Sequence, residues 1–266
     1  MILRHKAVLA ALPLAAGVFF TLSAAGLTGA SLAPKTAFAG ENPAGGDCVI
    51  TQSDLDSITA AANAGLAAEL AARKALLTRT ISCAKEDALA LQNNVNDVQV
   101  TSDAIALRDQ LAGRIQDALN YYDLELAKVN DSGLAGTKSI AREVGAWRAG
   151  YYATVAGQAN NFMLWEKNQA LFKTADTRLA QMKGIVNFLE QAGANIDLEN
   201  ALGSAEGLVE TAQSENESAR NAMLQSLSPD ASLPLIKQSL QSLSDAYDKF
   251  FSVSTMIQDL LAAKTE

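Results

Sequence analysis

Four side chains on one stretch could build a ligand platform: Trp147, Arg148, Tyr151 and Trp165. Trp147 and Trp165 are 18 residues apart, five whole helical turns, so a straight helix puts them on one face with Val144, Val155 and Phe162. Indole faces stack on flat ligands, and Arg148 can meet Tyr152 in a cation–π contact. The same spacing also describes a packed core stripe. Packing is the expected role, and on that reading Trp147→Ala costs about 3–5 kcal/mol.

Other motifs point to chemistry less well. Ser82-x-x-Lys85 matches the S-x-x-K of penicillin-binding enzymes, and Ser214-Glu215-Asn216 mimics their S-x-N element. That mechanism needs a β-sheet and a K-T-G strand beside the serine, and no sheet is expected here. Asp197, Glu199, Glu206 and Glu210 form an acidic side, read as a solvated face because no twelve-residue calcium loop is present. No phosphate-binding glycine motif occurs. The Gly203-x-x-x-Gly207 spacing, and Gly145 with Gly150, suggest close helix approach.

The start of the chain reads as an export signal. Arg4, His5 and Lys6 precede an uncharged run from Ala7 to Pro34, and Ala37-x-Ala39 gives a small-x-small exit. Pro13, Gly17, Gly26 and Gly29 make this run a poor permanent span, so cleavage after Ala39 is expected; a retained membrane anchor is the competing reading. Residues 1–39 hold Arg4, Lys6 and Lys35 and no acid, which leaves 18 basic against 29 acidic residues from Gly40 on, a net of −11. Such a charge disfavours nucleic acid. His5 is the only histidine, so the processed chain cannot run histidine-based nucleophile or metal chemistry. No enzyme activity, cofactor or metal is expected.

These side chains must be positioned by helices. Between Pro43 and Pro229 lie 185 residues without proline, rich in strong helix formers. The expected fold is an all-α, elongated antiparallel bundle of about five helices over residues 51–266, after a linker at 40–50. Leu55, Ile58, Ala62, Leu66, Leu70, Leu77, Ile81, Ala84, Ala88, Leu91 and Val95 form the first stripe. Thr101 or Ser102 caps a second helix, which stops at Asn130-Asp131-Ser132-Gly133. A third runs from about Ala135 to Ala192, with Gly193 as its stop and a break expected near Gly157 or Asn160-Asn161. A fourth begins at Asn195 or Asp197, and a fifth at Ser232 with Pro234 in its first turn. Coiled-coil-like packing is expected, although no sustained a/d heptad stands out.

The two cysteines pose a geometric fork. An exported chain usually bridges such a pair, here Cys48 and Cys83. A straight helix from 54 to 83 is about 45 Å long, whereas the six residues after Cys48 span only about 20 Å. A bridge therefore requires a reversal at Asn63-Ala64-Gly65, while the unbroken phase of the stripe across Gly65 favours continuity. A bond between two chains is the third possibility.

Glu69-Leu70-Ala71-Ala72-Arg73-Lys74, Ile81-Ser82-Cys83-Ala84, Ile140-Ala141-Arg142-Glu143, Trp147-Arg148-x-x-Tyr151 and Asn168-Gln169-x-Leu171-Phe172-x-x-Ala175-x-x-Arg178-Leu179 resemble exported helical proteins of candidate-phylum bacteria with small genomes. The resemblance covers roughly residues 48–190 and implies no activity or binding residue. The reading is a non-enzymatic exported or cell-surface helical protein acting on protein or envelope partners, with membrane contact only through an uncleaved signal. The alternative is a ligand-binding or sensory ectodomain, whose mark would be a polar pocket near Trp147 or Trp165.

Overall fold

The computed structural model describes residues 50–102, 104–191, 197–226 and 228–263. The expected signal, most of the linker, Cys48, the Gly193 stop and Asn195 lie outside the described residues. Among the described residues every regular element is helical and there is no strand. The α-helical segments are α1 (Gln52–Ala64), α2 (Leu66–Asp97), α3 (Ile105–Asp131), α4 (Leu134–Trp147), α5 (Ala153–Gln191), α6 (Asp197–Gln225) and α7 (Pro229–Ala263). A π-helical turn, Arg148–Tyr152, joins α4 to α5 without a break. These seven segments therefore make six rods. The α4–α5 rod is 58 residues long, about 85 Å at 1.5 Å per residue.

The sequence stripes place the core. Buried positions on α6 are Leu198, Leu202, Ala205, Val209, Ala212, Asn216, Ala219 and Met223, stepping by four and three in strict alternation. On α7 Ile236, Ser239, Leu243, Ala246, Phe250, Val253 and Ile257 do the same. On α5 the run Gln158, Asn161, Trp165, Asn168, Phe172, Ala175, Leu179, Met182, Val186 and Leu189 keeps the same alternation. This is a sustained heptad, correcting the expectation that none stood out. Polar residues at seam positions (Gln158, Asn161, Asn168, Asn216, Ser239) hid it from a count of apolar residues.

The rods form two antiparallel three-helix bundles that share one helix. In the first, α2 and α3 pair through Lys74 Nζ to the Asn130 carbonyl (2.6 Å), Lys85 to Asp123 (2.6 Å) and Gln92 to Gln116 (3.2 Å). The α4–α5 rod completes it, with Arg114 donating to Gln158 at 3.1 Å. In the second, α5 pairs with α6 through Lys183–Glu206 and through Gln213 donating to Asp176 at 3.2 Å. The α6–α7 hairpin is held by Ser239 donating to the Ala212 carbonyl (2.8 Å) and Ser242 to Glu215 (2.9 Å). Ala219, Met223 and Ile236 pack into the first core, so the two bundles meet without a gap.

The break expected near Gly157 or Asn160-Asn161 is not present: the helix runs through those positions, and its irregularity is the π turn at Arg148–Tyr152. Gly157 sits inside α5 for another reason: a Cβ there would lie 2.9 Å from the Pro229 ring, so only glycine lets the start of α7 come this close. Gly203, Gly207, Gly145 and Gly150 have nothing within that reach, so the expected close approach is not made there. Two helix starts also differ. The α3 helix begins at Ile105 with Ala104 at its N-cap and no side-chain cap, and α7 begins at Pro229, which places Pro234 inside the helix.

At the N-terminal end the cysteine fork resolves in favour of the reversal. Gly65 has φ 120° and ψ 166°, a conformation essentially confined to glycine, and α1 folds back along α2. Asp54 on α1 meets Arg79 on α2 at 2.5 Å. Thr51 and Asp54 close a capping box, the Thr51 N–H donating to the Asp54 carboxylate at 2.7 Å. The Arg79 guanidinium, with Thr51, holds Asp54 down at about 2. Its folded value lies below the unfolded one, so this contact contributes fully above the ordinary carboxylate range and is lost only as pH falls through about 2. The stripe's phase misled because α1 buries none of its residues: Leu55 is 48% exposed, and Leu66, the first residue of α2, is 73% exposed. Cys83 is not a free thiol.

Candidate functional site

The π turn organises the first aromatic site. An α-helix that takes one extra residue into a turn slips its phase by about 100°, so the residues after it present a new face. Upstream, Thr137, Ile140 and Val144 are buried against the first bundle. Downstream, Tyr152, Val155, Ala159 and Phe162 take over that role, one heptad position later. The face that would have continued, Gln158, Asn161, Trp165 and Asn168, is turned to α6 and α7. Trp147 and Trp165 thus serve different neighbours, contrary to the shared face expected from five whole turns.

Trp147 stacks on Tyr121 of α3, ring centroids 3.9 Å apart, and lies 5.1 Å from Tyr151 and 5.5 Å from Tyr122. Arg148 reaches across all three helices of the bundle. Its guanidinium donates to Asp87 of α2 at 2.9 Å and to the Tyr122 hydroxyl at 3.2 Å, and it sits 5.1 Å from the centre of the Tyr152 ring. Burial opposes its charge, but Tyr122 and Asp87 hold it protonated, and the net shift is upward. Burial pushes the Tyr152 and Tyr121 phenols up to about 12 and raises Tyr122 and Tyr151 as well. Phenols held neutral this way donate hydrogen bonds and pack; they are poor bases near neutral pH. The cluster is a clamp of α4 on α2 and α3.

Because Trp147 is only half-buried, Trp147→Ala is expected to cost about 2 kcal/mol, below the usual range for a fully buried tryptophan. Urea melts of this variant and of Tyr121→Ala check it: the two losses should be strongly non-additive, since each removes the same stacked pair.

Trp165 lies where the bundles meet. It is 2% exposed, its ring is 6.2 Å from Phe162, and its Nε1 donates to the Asn216 carbonyl at 2.8 Å. Around it α5 grips the α6–α7 hairpin with a polar ladder. Gln158 donates to the Ser226 carbonyl, Asn161 to the Pro229 carbonyl (2.8 Å) and Ser232 Oγ (3.0 Å), and Asn168 to Asn216 Oδ1 (3.2 Å). A surface groove of about 600 Å³ runs between α5 and α6 beside this ladder. Trp165 and Phe172 line it with Lys173, Asp176, Glu217 and Arg220. It carries both signs of charge and two aromatic edges, a lining able to hold a zwitterion or a peptide strand by paired charges.

The weaker motifs are absorbed into structure. Lys85 of Ser82-x-x-Lys85 is paired with Asp123, and Asn216 of the S-x-N match is buried in the ladder. Glu206 of the acidic side pairs with Lys183. Among the described residues no three metal-ligating side chains converge, and no helix is long and apolar enough to cross a membrane. No family model, curated protein or solved structure matches this chain.

Proposed function

We propose that this chain is an exported, non-enzymatic helical protein that works as a rigid interaction rod at the cell surface or within the envelope. The observation that carries the reading is the 58-residue helix shared by two three-helix bundles. Its seam polar groups are spent on fixing helix register, as Gln158, Asn161 and Asn168 do, and not gathered around one reaction centre. The signal-like residues 1–39 support export, and a net charge of −11 after them keeps the rod soluble and favours basic partner surfaces.

The groove beside Trp165 supports a second reading, a small-ligand receptor, because it is the polar lining that reading requires. One experiment separates the two. The chain is produced in a bacterial host with a reporter enzyme that works only outside the cytoplasm, and the released protein is sequenced from its N-terminus and weighed by native mass spectrometry. Export with an N-terminus at Gly40 and no extra mass is the expected result. A first residue of Met1 with an inactive reporter would sink the export claim. A bound small molecule that is lost in Lys173→Ala would move the assignment to the receptor.

A further inference from the structure

The groove between α5 and α6 orders its charges along its length. Trp165, Phe172 and Asn216 are its buried lining. At one end Asp176 of α5 accepts from Gln213 of α6 at 3.2 Å. Arg220 lies two turns beyond Gln213 on α6, about 10 Å along the groove. A carboxylate therefore stands at one end and a guanidinium at the other. Between them Lys173 of α5 and Glu217 of α6 are exposed rims. Further along the same helices Lys183 and Glu206 close into an ion pair, whereas Lys173 and Glu217 form none among the described residues. Gln169, Gln213 and Asn216 supply amides that can donate to and accept from peptide groups.

We infer that this groove holds a short peptide of about three residues, its free carboxylate toward Arg220 and its free amine toward Asp176. The inference deepens the receptor reading of the groove and rests on it. Length and charge identify the ligand. An extended chain advances about 3.3–3.6 Å per residue, so three residues reach from one end charge to the other and two fall short. A phosphate would meet the like charges of Asp176 and Glu217, and a polyamine those of Lys173 and Arg220. The edges of Trp165 and Phe172 leave apolar contact for a middle side chain. Arg220 already makes a contact in the folded chain, but its five N–H donors can serve a carboxylate as well. The volume of about 600 Å³ is that of a small-molecule site.

Isothermal titration calorimetry of the whole chain tests this with alanyl-leucyl-alanine, with alanyl-leucine and with the tripeptide blocked at either end. The free tripeptide should bind, and the dipeptide at least about tenfold more weakly, the loss of one charge-assisted hydrogen bond. N-acetylation should cost the parent a similar factor and cost Asp176→Asn nothing. That variant is at an exposed position and keeps an acceptor for Gln213, so its melting temperature should match the parent's. C-amidation should likewise cost the parent a similar factor and cost Arg220→Gln nothing. A blocked tripeptide that binds as well as the free one overturns the proposal, as does an acetylation penalty that survives in Asp176→Asn. Absence of peptide binding overturns it too, and native mass spectrometry then shows how far the failure reaches. A different small molecule that is lost in Lys173→Ala leaves the receptor reading standing without the peptide. No bound molecule of any kind ends both.

Discussion

Trp165→Ala should lower the unfolding free energy by about 3–5 kcal/mol, the range for truncating a fully buried tryptophan. Trp165 is 2% exposed, lies in the first core and bonds to α6, so no nearby surface chain can collapse into the space it leaves. Its Nε1 also satisfies the Asn216 carbonyl, which would lose that donor. Trp165→Phe separates the two effects. It keeps most of the apolar volume and drops the hydrogen bond, while the Asn216 carbonyl keeps its helical N–H donor. Its cost should therefore stay at about 1 kcal/mol, the usual net worth of one hydrogen bond. Denaturant titration of the three proteins measures both. A loss below about 1 kcal/mol for Trp165→Ala would show that the junction is far looser than its burial implies.

Alanine at two helical glycines should give opposite signs. At Gly184 the space is open, and replacing glycine in a helix interior gains up to about 1 kcal/mol. At Gly157 the new methyl would stand 2.9 Å from two carbons of the Pro229 ring, which cannot swing aside as a flexible side chain would. Overpacking of that kind typically costs about 1–3 kcal/mol, enough to outweigh the helix propensity gained. Pushing Pro229 away also stretches the bonds that Gln158 and Asn161 make to the hairpin at Ser226 and Pro229. Gly157→Ala should therefore melt below the parent and Gly184→Ala above it. A stabilised Gly157→Ala would mean that the α6–α7 hairpin is free to move off α5.

Much of the fold was legible because burial here depends on spacing. On α6 the apolar spacing gives Leu198, Leu202, Ala205, Val209, Ala212, Ala219 and Met223, and all seven are buried. On α7 it gives Ile236, Leu243, Phe250, Val253 and Ile257, which are buried, and Leu240, Tyr247 and Leu260, which are only partly so. Three features escaped that reading, each for a physical reason. Apolar phase does not report direction, so a stripe that is continuous through Gly65 says nothing about a reversal that a single glycine can make. Counting whole turns assumes a constant 3.6 residues per turn, and the π turn at Arg148–Tyr152 violates it; no residue in Arg-Ala-Gly-Tyr-Tyr announces this. Polar residues in a seam look like interruptions until their partners are known, and the partners of Gln158 and Asn161 are backbone carbonyls 68 residues away. The candidate site was half legible. Trp147, Arg148 and Tyr151 do cluster, but they meet Tyr121, Tyr122 and Asp87 of other helices. The groove at Trp165 depends on α6 residues such as Glu217 and Arg220 that no local pattern singled out.

The single helix that passes from one bundle to the other also governs how the protein comes apart. For the first bundle to melt while the second survives, the α4–α5 rod must end somewhere in its middle. That would strip four N–H groups of their partners on the surviving side, with no capping side chain prepared for them. The same rod carries Trp165 and Phe162 at the crossing point, where each bundle would tear apolar contacts from the other. Loss of order at either end is therefore transmitted along the shared backbone. Heat should unfold the two cores in one calorimetric transition, although their contacts alone divide into two clusters.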